Sequence, residues 1–322
     1  MPDTSAAHAE LVRRLRLGME RAVLAFPLTP FDAAGEVDPD AFGRYLEGQV
    51  AAGPGAVFVC CGTGEFFSLS LPEYERLVAV AVEVTAGRVP VVAGAGYGWA
   101  QAVEYVSAAE RAGADAVLLM PHYLVDAPQA GVVAHLREVA GRTSLPLIVY
   151  QRAQVRLSTG SVREIATIPQ VIGLKDGHGD LDQVQRIRLV APREWLFFNG
   201  VATAEMQARA YDAIGVRAYS SAVHAFAPEI AQAFFAALHR DDHEAVDTLL
   251  REFYLPLVEL RDKGVGYAVS LIKAAARIRG AEVGPVRAPL TDPTPAHLAE
   301  LEQLVTAGLG LVGADAERLG PA

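Results

Sequence analysis

The sequence predicts a (β/α)₈ barrel, the TIM-barrel class of α/β folds, with one helix before it and a helical extension after it. Three observations support this prediction. The chain has 322 residues, and a barrel of this class needs about 250. Eight short apolar runs alternate with segments of helical character, which indicates repeated strand–helix units. The runs are almost continuously apolar, which is typical of parallel strands covered on both faces.

The predicted elements alternate regularly along the first three quarters of the chain. The strands are the apolar runs 22–29, 56–61, 89–94, 114–120, 145–150, 171–175, 195–199 and 216–221. An aspartate before Pro39 and the capping-box pattern that begins at Ser70 mark two helix starts. The other predicted helices cover residues 6–19, 39–52, 99–112, 129–141, 161–167, 181–190, 202–214 and 228–239. We expect the barrel and its N-terminal helix to occupy residues 1–240.

The segment after the eighth unit is predicted to be helical. Helices are expected at 242–263, 266–279 and 295–304. We therefore expect residues 241–322 to form an extension that packs on the barrel or builds a subunit interface.

An open, doubly wound sheet is the alternative architecture. Such a sheet would carry a glycine-rich phosphate-binding turn after its first strand. Residues 26–31 contain no glycine, and the glycines at 94, 96 and 98 follow the third strand with the wrong spacing for a dinucleotide site.

Composition argues against several classes of partner. The formal net charge of −10 disfavours nucleic acid and anionic membrane surfaces. No stretch reaches the roughly 18 uninterrupted apolar residues that a membrane span requires. The adjacent Cys60 and Cys61 suit neither a structural disulfide nor a zinc framework, so we expect a reducing, cytoplasmic location. The N-terminal helix lacks the apolar core of a signal peptide.

Polar residues follow the predicted strands at their carboxyl ends, where barrels of this class place their chemistry. They are Thr29, Gly62-Thr63-Gly64-Glu65, Pro121-His122-Tyr123, Tyr150-Gln151-Arg152, Lys175-Asp176, Asn199-Gly200 and Ser220-Ser221. An amine, two tyrosines, an arginine and several hydroxyls are therefore expected on one rim. The histidines near strand ends have no acidic cluster beside them, so we predict no metal site.

Lys175 ends the sixth apolar run, and the functional prediction depends on it. Desolvation at the mouth of a buried strand lowers the pKa of a lysine. A neutral amine can form a Schiff base with a ketone. Taken alone, a lysine after a strand is more often a surface residue whose stem lies along apolar neighbours, so the other strand ends decide the interpretation.

Those other strand ends suit an anionic keto acid. The glycines on both sides of Thr63 let backbone N–H groups approach a carboxylate, and the Thr63 hydroxyl adds a donor. Tyr150 can relay protons at the ketone carbon, and Arg152 can bind a second carboxylate with its planar fork. Each also has a structural interpretation, because buried tyrosines often bond a carbonyl and arginines after strands often form surface ion pairs.

These residues resemble the signatures of a known superfamily. Gly62-Thr63-Gly64-Glu65, Tyr150 and Gly173-Leu174-Lys175-Asp176 are similar to the motifs of the dihydrodipicolinate synthase / N-acetylneuraminate lyase superfamily of class I barrel lyases. Further blocks resemble one branch of it, the decarboxylating dehydratases. These blocks lie at residues 62–69, 174–180, 197–200, 219–223, 266–273 and 284–290.

The resemblance implies a lyase that needs no metal or organic cofactor, because Lys175 forms a covalent imine with the substrate. The implied substrate is a dicarboxylate keto acid, 5-dehydro-4-deoxy-D-glucarate. It is dehydrated and decarboxylated to 2,5-dioxopentanoate, carbon dioxide and water. The ketone-side carboxylate is expected on Gly62, Thr63 and Gly64, with Tyr150 as the proton relay.

The resemblance also gives expectations for the rest of the site and for assembly. The loop at Asn199 and Gly200 has few polar side chains, which favours a less hydroxylated substrate. Relatives place a tyrosine at the position of Tyr123 that reaches a neighbouring subunit's site, which implies a homotetramer built as a dimer of dimers. The candidates for binding the distal carboxylate or the hydroxyls are Arg152, Ser220 and Ser221.

The sequence departs from the superfamily pattern at two places. Gln151 and Gln154 stand where asparagines are expected, and His224 begins a segment where an aromatic residue and an asparagine are usual. These departures affect substrate contacts rather than the lysine chemistry. The alternatives left open are an aldolase or pyruvate-dependent synthase with the same imine, a non-catalytic keto-acid sensor, and a flavin or metal barrel.

Overall fold

A computed structural model describes residues 4–314, and the predicted (β/α)₈ barrel is confirmed. Eight parallel strands form a closed barrel in chain order, with β8 paired to β1. The strands are β1 (Leu24–Ala25), β2 (Ala56–Val59), β3 (Val91–Ala95), β4 (Ala116–Leu119), β5 (Leu147–Gln151), β6 (Val171–Asp176), β7 (Leu196–Asn199) and β8 (Ala218–Ser221). The ends of the predicted domain ranges, at residues 1–3 and 315–322, lie outside the described residues.

Helices surround the barrel and continue beyond it. The barrel helices and the N-terminal helix are α1 (Thr4–Arg21), α2 (Pro39–Ala51), α3 (Leu71–Thr85), α4 (Trp99–Arg111), α5 (Gln129–Ala140), α6 (Thr159–Ile165), α7 (Leu181–Val190), α8 (Ala208–Ala213) and α9 (Pro228–His239). Beyond them lie α10 (His243–Leu249), α11 (Leu255–Asp262), α12 (Tyr267–Ile278) and α13 (Pro295–Leu311). No helix in the described part of the chain is long and apolar enough to cross a bilayer.

Three elements differ from the sequence prediction. The first strand ends at Ala25 rather than at residue 29 of the predicted run 22–29, because Pro27 has no N–H to donate to a ladder. The predicted helix 202–214 begins as a 3₁₀ turn after Thr203, whose φ is +53°. The predicted helix 242–263 is interrupted by a π-helical turn at Leu250–Tyr254, just before Pro256, which cannot donate an α-helical hydrogen bond.

Strand register determines which side chains enter the barrel. Tyr150 of β5 pairs with Lys175 of β6, and Lys175 pairs with Phe198 of β7. Tyr150 and Phe198 belong to the apolar cluster inside the barrel. Side chains one position further along a strand point to the opposite face. Paired positions on neighbouring strands share a face, so the three side chains meet inside the barrel.

Helix α1 closes the amino-terminal end of the barrel. Leu11, Leu15 and Met19 pack with the apolar side chains of the barrel interior. Close approach is possible because Gly18 faces Gly55, and a Cβ on Gly18 would lie 2.1 Å from the Gly55 carbonyl oxygen. The opening toward solvent is therefore at the carboxyl end of the strands.

The C-terminal extension packs against the loop that follows β2. Lys273 of α12 donates to the Glu65 carboxylate over 2.7 Å, and neither side chain is exposed. The backbone N–H of Arg287 donates to the other oxygen of that carboxylate over 3.0 Å. The guanidinium of Arg287 also bonds the Ser68 carbonyl. The loop after β2 is thus held from outside the barrel.

Candidate active site

A cavity of about 410 Å³ opens at the carboxyl end of the strands. Its walls come from the strand ends, from the loop after β7, and from α11 and α12 of the extension. Seven residues predicted from the sequence line it: Gly62, Thr63, Tyr150, Arg152, Lys175, Gly200 and Ser220. The other predicted residues lie outside its lining, as described below.

Lys175 lies on the cavity wall with its amine among aromatic rings. Its Nζ is 3.9 Å from the Phe26 ring centroid, 4.5 Å from that of Tyr150 and 5.6 Å from that of Phe198. Within residues 4–314 it has neither an ion pair nor a hydrogen-bond partner, although the residue itself is only 5% exposed. An amine in such a place is available to react.

The other two lysines of the sequence are both engaged. Lys263 lies 2.6 Å from a Glu300 oxygen and Lys273 lies 2.7 Å from Glu65. The amine of each is therefore occupied by a carboxylate. Lys175 is therefore the lysine that the structure leaves free for nucleophilic chemistry.

Burial lowers the pKa of Lys175 to about 7; Cys61 opposes this shift, and the positive charge of Arg152 adds to it. A substantial fraction of the amine is therefore neutral at neutral pH. Burial raises the pKa of Cys61 to about 12, so its thiol is neutral beside the amine. These environments produce a neutral amine without a neighbouring anion.

Tyr150 lies next to Lys175 and is positioned by Gly200 and Arg152. Its hydroxyl donates to the Gly200 carbonyl over 3.1 Å, and an Arg152 Nη lies 3.4 Å away as a donor to the same hydroxyl. Burial raises the pKa of Tyr150, while the Arg152 charge opposes that rise. A protonated phenol that is already part of a hydrogen-bonded chain is suited to proton relay.

Gly200 provides the space in which the lysine stem lies. A Cβ at this position would be 2.1 Å from Lys175 Cε. Its backbone N–H donates to the Asp176 carbonyl over 2.6 Å. Any side chain here would displace the lysine, so a glycine is required by close approach rather than by flexibility.

The loop after β2 presents free backbone donors. Glu65 N–H donates to the Gly62 carbonyl over 3.1 Å and Thr29 Oγ donates to the Gly64 carbonyl over 2.7 Å. These bonds fix the carbonyls, and the N–H groups of Gly62 and Thr63 donate to no acceptor within residues 4–314. A loop held in this way can receive a carboxylate.

Four predicted residues lie outside the cavity lining. The buried Gly64 shapes the loop through its carbonyl. The Asn199 side chain donates to the Ala204 carbonyl and accepts from Val201 N, each over 3.0 Å. The Ser221 hydroxyl donates to Glu205 over 2.5 Å behind the barrel. Tyr123 is 64% exposed on the loop after β4.

Metal-ligating groups do not cluster here. Within residues 4–314, no three histidine, cysteine, aspartate or glutamate side chains are grouped so that they could hold a metal ion. The cavity instead offers an amine, two phenols, two guanidinium groups and backbone donors. This set suits covalent capture of a carbonyl compound that carries carboxylates.

A comparison with protein families decides the assignment. Residues 19–308 match the model of the dihydrodipicolinate synthetase family. The chain belongs to that family. A dihydrodipicolinate synthase from Oceanobacillus iheyensis is similar in structure, with a TM-score of 0.82 and 25% identity over 91% of this chain and 98% of that one.

Two curated relatives within the family are more similar in sequence. A probable 5-dehydro-4-deoxyglucarate dehydratase 2 from Streptomyces coelicolor is 63% identical over 97% of each chain. A 5-dehydro-4-deoxyglucarate dehydratase from Pseudomonas putida is 42% identical over 91% of this chain and 97% of its own. The similarity extends over nearly the whole length of both relatives.

The two departures from the superfamily pattern lie outside the cavity lining of this family member. The Gln151 amide donates to Asp176 over 2.6 Å, and the Tyr211 hydroxyl donates to the same carboxylate. Asp176 is thereby held away from the Lys175 amine. His224 is buried against Gln49, with 2.9 Å between Nδ1 and Oε1, and burial lowers the pKa of the imidazole to about 4.

The structure adds residues that sequence reasoning missed. Phe26 faces the amine, and its place in the first predicted apolar run gave a signal that could have been used. Arg261, on α11, and Thr203 have no local signal, because nothing near them in the sequence indicates that they line the cavity. The remaining contributions from the extension are Leu257, Tyr267, Ala268, Val269, Leu271 and Ile272.

Proposed function

We propose that this protein dehydrates and decarboxylates 5-dehydro-4-deoxy-D-glucarate to 2,5-dioxopentanoate through an imine on Lys175. One observation supports this most strongly. The chain's single unpaired buried lysine, within the described residues, lies beside Tyr150 in a cavity with free backbone donors. Relatives of 42–63% identity are named for this dehydratase activity, and this chain belongs to the dihydrodipicolinate synthetase family.

The first half of the reaction is dehydration. The neutral Lys175 amine attacks the ketone carbon, and loss of water from the carbinolamine gives the imine. The iminium withdraws electrons, so a proton leaves the adjacent methylene and an enamine forms. The enamine then expels the β-hydroxyl as water and leaves a conjugated iminium. Tyr150 relays protons at the ketone carbon because its hydroxyl lies in the Arg152–Tyr150–Gly200 chain.

The second half is decarboxylation. The bond to the distal carboxylate carbon breaks, and its electron pair moves through the conjugated system to the imine nitrogen. Carbon dioxide leaves, and a dienamine remains. Two protonations and hydrolysis of the imine give 2,5-dioxopentanoate and restore the amine. One lysine thus provides the electron sink for both steps, and the proposal includes no metal or organic cofactor.

We assign the ketone-side carboxylate to the loop after β2. The free N–H groups of Gly62 and Thr63 and the Thr63 hydroxyl supply its donors. Arg152 lies at the reacting centre, where its charge lowers the pKa of Lys175. Ser220 also lines the cavity and is available to a substrate hydroxyl. The formal charge of −10 makes these local donors necessary for an anionic substrate.

We also propose a cytoplasmic homotetramer arranged as a dimer of dimers. Tyr123, Leu124 and Val125 are 64%, 74% and 63% exposed on one loop. Contiguous exposed apolar side chains are typical of subunit contacts. Sedimentation of the active protein tests this assembly, and a fully active monomer would contradict it.

The decisive experiment scores the products. Wild-type protein with 5-dehydro-4-deoxyglucarate is expected to release carbon dioxide and the semialdehyde in equal amounts. Borohydride added during turnover should attach substrate to Lys175 and to neither other lysine. Lys175→Ala should release no carbon dioxide or semialdehyde and should not be labelled by substrate and borohydride. Retained turnover in Lys175→Ala, or labelling at Lys263 or Lys273, would contradict the mechanism.

The same assay separates the related activities. An aldolase would cleave a carbon–carbon bond without carbon dioxide, and a pyruvate-dependent synthase would consume an added aldehyde. A non-catalytic sensor would form the imine and release nothing. Only the proposed reaction releases carbon dioxide from the dehydro-deoxy sugar acid.

A further inference from the structure

The proposed substrate carries a carboxylate at each end, so the cavity must contain two anion-binding places. The donors of Gly62 and Thr63 account for the ketone-side carboxylate. Three cationic side chains line the cavity: Lys175, Arg152 and Arg261. Lys175 is the nucleophile, so the distal carboxylate has two candidate partners.

Arg152 lies close to the reacting centre. Its guanidinium is 3.4 Å from the Tyr150 hydroxyl, and its charge lowers the pKa of Lys175. Arg261 belongs to α11 and donates to Thr203 on the loop after β7, and within the described residues it bonds neither Lys175 nor Tyr150. A group that binds the far end of the substrate must not be engaged with the groups at the ketone carbon, and this condition favours Arg261.

Arg261 is positioned by the loop after β7. Its Nη1 donates to the Thr203 hydroxyl over 2.8 Å, and its Nε donates to Asp262 over 2.9 Å. Thr203 is three residues beyond Gly200, which contacts the Lys175 stem. Lys175, Gly200, Thr203 and Arg261 all line the same cavity of about 410 Å³, so a ligand attached to Lys175 shares that cavity with Arg261.

The pair retains donors for a ligand. A guanidinium has five N–H groups, and two of those of Arg261 are used within residues 4–314. The Thr203 hydroxyl accepts from Arg261, which leaves its own proton free to donate. The Arg261 side chain is only 21% exposed, whereas that of Asp262 is 63% exposed, where solvent weakens its hold on the guanidinium.

We propose that Arg261 and Thr203 bind the distal carboxylate, so that the C-terminal extension selects six-carbon keto diacids over monoacids. This inference rests on the proposed function and names the selectivity of the same site. Ser221 is excluded from this role because its hydroxyl is buried against Glu205. Ser220 remains available to a hydroxyl of the substrate.

The test compares two ligands of equal length that form the imine but have no hydroxyl to lose. 2-Oxoadipate has the substrate skeleton without its hydroxyls, and 2-oxohexanoate has a methyl group in place of the distal carboxylate. Affinity is measured by borohydride trapping at Lys175, which needs no turnover. We expect wild-type protein to prefer the diacid. Arg261→Gln should lower the affinity for 2-oxoadipate about 10- to 100-fold, as for a lost charged hydrogen bond.

Matched variants make the result specific. Arg261→Gln should trap pyruvate and 2-oxohexanoate as the wild type does, which shows that fold and lysine are intact. Arg261→Lys keeps the charge and should give an intermediate preference for the diacid. Thr203→Val should lose less of that preference than Arg261→Gln does. The exposed Arg251 of the same extension is the control, and Arg251→Gln should leave the preference unchanged.

Two results would overturn the inference. One is an unchanged diacid preference in Arg261→Gln; the other is a preference that collapses in Arg152→Gln and not in Arg261→Gln. Neither result depends on carbon dioxide release. If wild-type protein traps 2-oxoadipate but releases no carbon dioxide from the proposed substrate, the proposed function fails. The role of Arg261 is still decided by the ratio of the affinities for 2-oxoadipate and 2-oxohexanoate.

Discussion

The buried ion pair between Lys273 and Glu65 allows a quantitative prediction. The two charged atoms are 2.7 Å apart, and neither side chain is exposed. Glu65 lies in the loop that presents Gly62 and Thr63, in a left-handed conformation with φ +54°. Lys273→Met would leave the Glu65 carboxylate in an apolar environment with one remaining donor, the Arg287 N–H at 3.0 Å.

The expected loss of stability is large. Removing one partner of a buried pair costs about 3–5 kcal/mol because the other charge remains desolvated. The Lys273 amine also lies 4.0 Å from the Phe31 ring centroid, a contact worth about 1–2 kcal/mol. Burial of the methionine side chain offsets part of this. We therefore expect Lys273→Met to lower the free energy of unfolding by about 3–5 kcal/mol.

Urea unfolding followed by tryptophan fluorescence measures this loss. The double variant Glu65→Gln/Lys273→Met should recover much of it, because no unpaired charge remains. Lys263→Met is the matched control: it breaks a pair with Glu300 whose side chains are 44% and 45% exposed, so we expect a loss below about 1 kcal/mol.

Two outcomes would refute this reasoning. One is a Lys273→Met protein as stable as Lys263→Met, and the other is a double variant less stable than the single one. At an intermediate urea concentration where the variant remains folded, its KM for the keto acid should rise more than its kcat falls, because the loop after β2 loses its anchor.

Two further predictions concern the amine. In Arg152→Gln the loss of a nearby positive charge raises the pKa of Lys175. The rate of imine formation increases with pH as the amine becomes neutral, so the midpoint of its pH profile should move above the wild-type value of about 7. An unmoved pH profile would contradict this, and Arg156→Gln, at an exposed residue of the same loop, is the control. In Gly200→Ala the new Cβ would lie 2.1 Å from Lys175 Cε, so borohydride trapping of pyruvate should fall at least tenfold, whereas Gly48→Ala, where a Cβ meets nothing within 4 Å, should trap normally.

Much of the site follows from one rule about strand ends. The apolar runs define the strands, and the carboxyl ends of parallel strands meet on one rim. This places Lys175 beside Tyr150, and the Gly62–Thr63 loop across from them, without any knowledge of packing. The rule does not say which of two adjacent residues faces inward. Ser220 lines the cavity, whereas Ser221 bonds Glu205 behind the barrel.

Side-chain length explains why one departure from the superfamily pattern leaves the site intact. Gln151 is next to Tyr150 and points to the opposite face of the strand. There its amide reaches Asp176 over 2.6 Å. A sequence comparison identifies the substitution, but only the paired register of β5 and β6 shows which carboxylate the longer side chain contacts.

The sequence by itself determined the barrel and predicted Lys175 and Tyr150 on one rim, because periodic burial and the positions of strand ends are local properties of the chain. The tertiary structure decided how the cavity is closed. Arg261 bonds Thr203 across 58 residues of sequence, and Lys273 holds Glu65 across 208. Contacts of that separation depend on how α11 and α12 pack against the barrel. No local pattern contains that information.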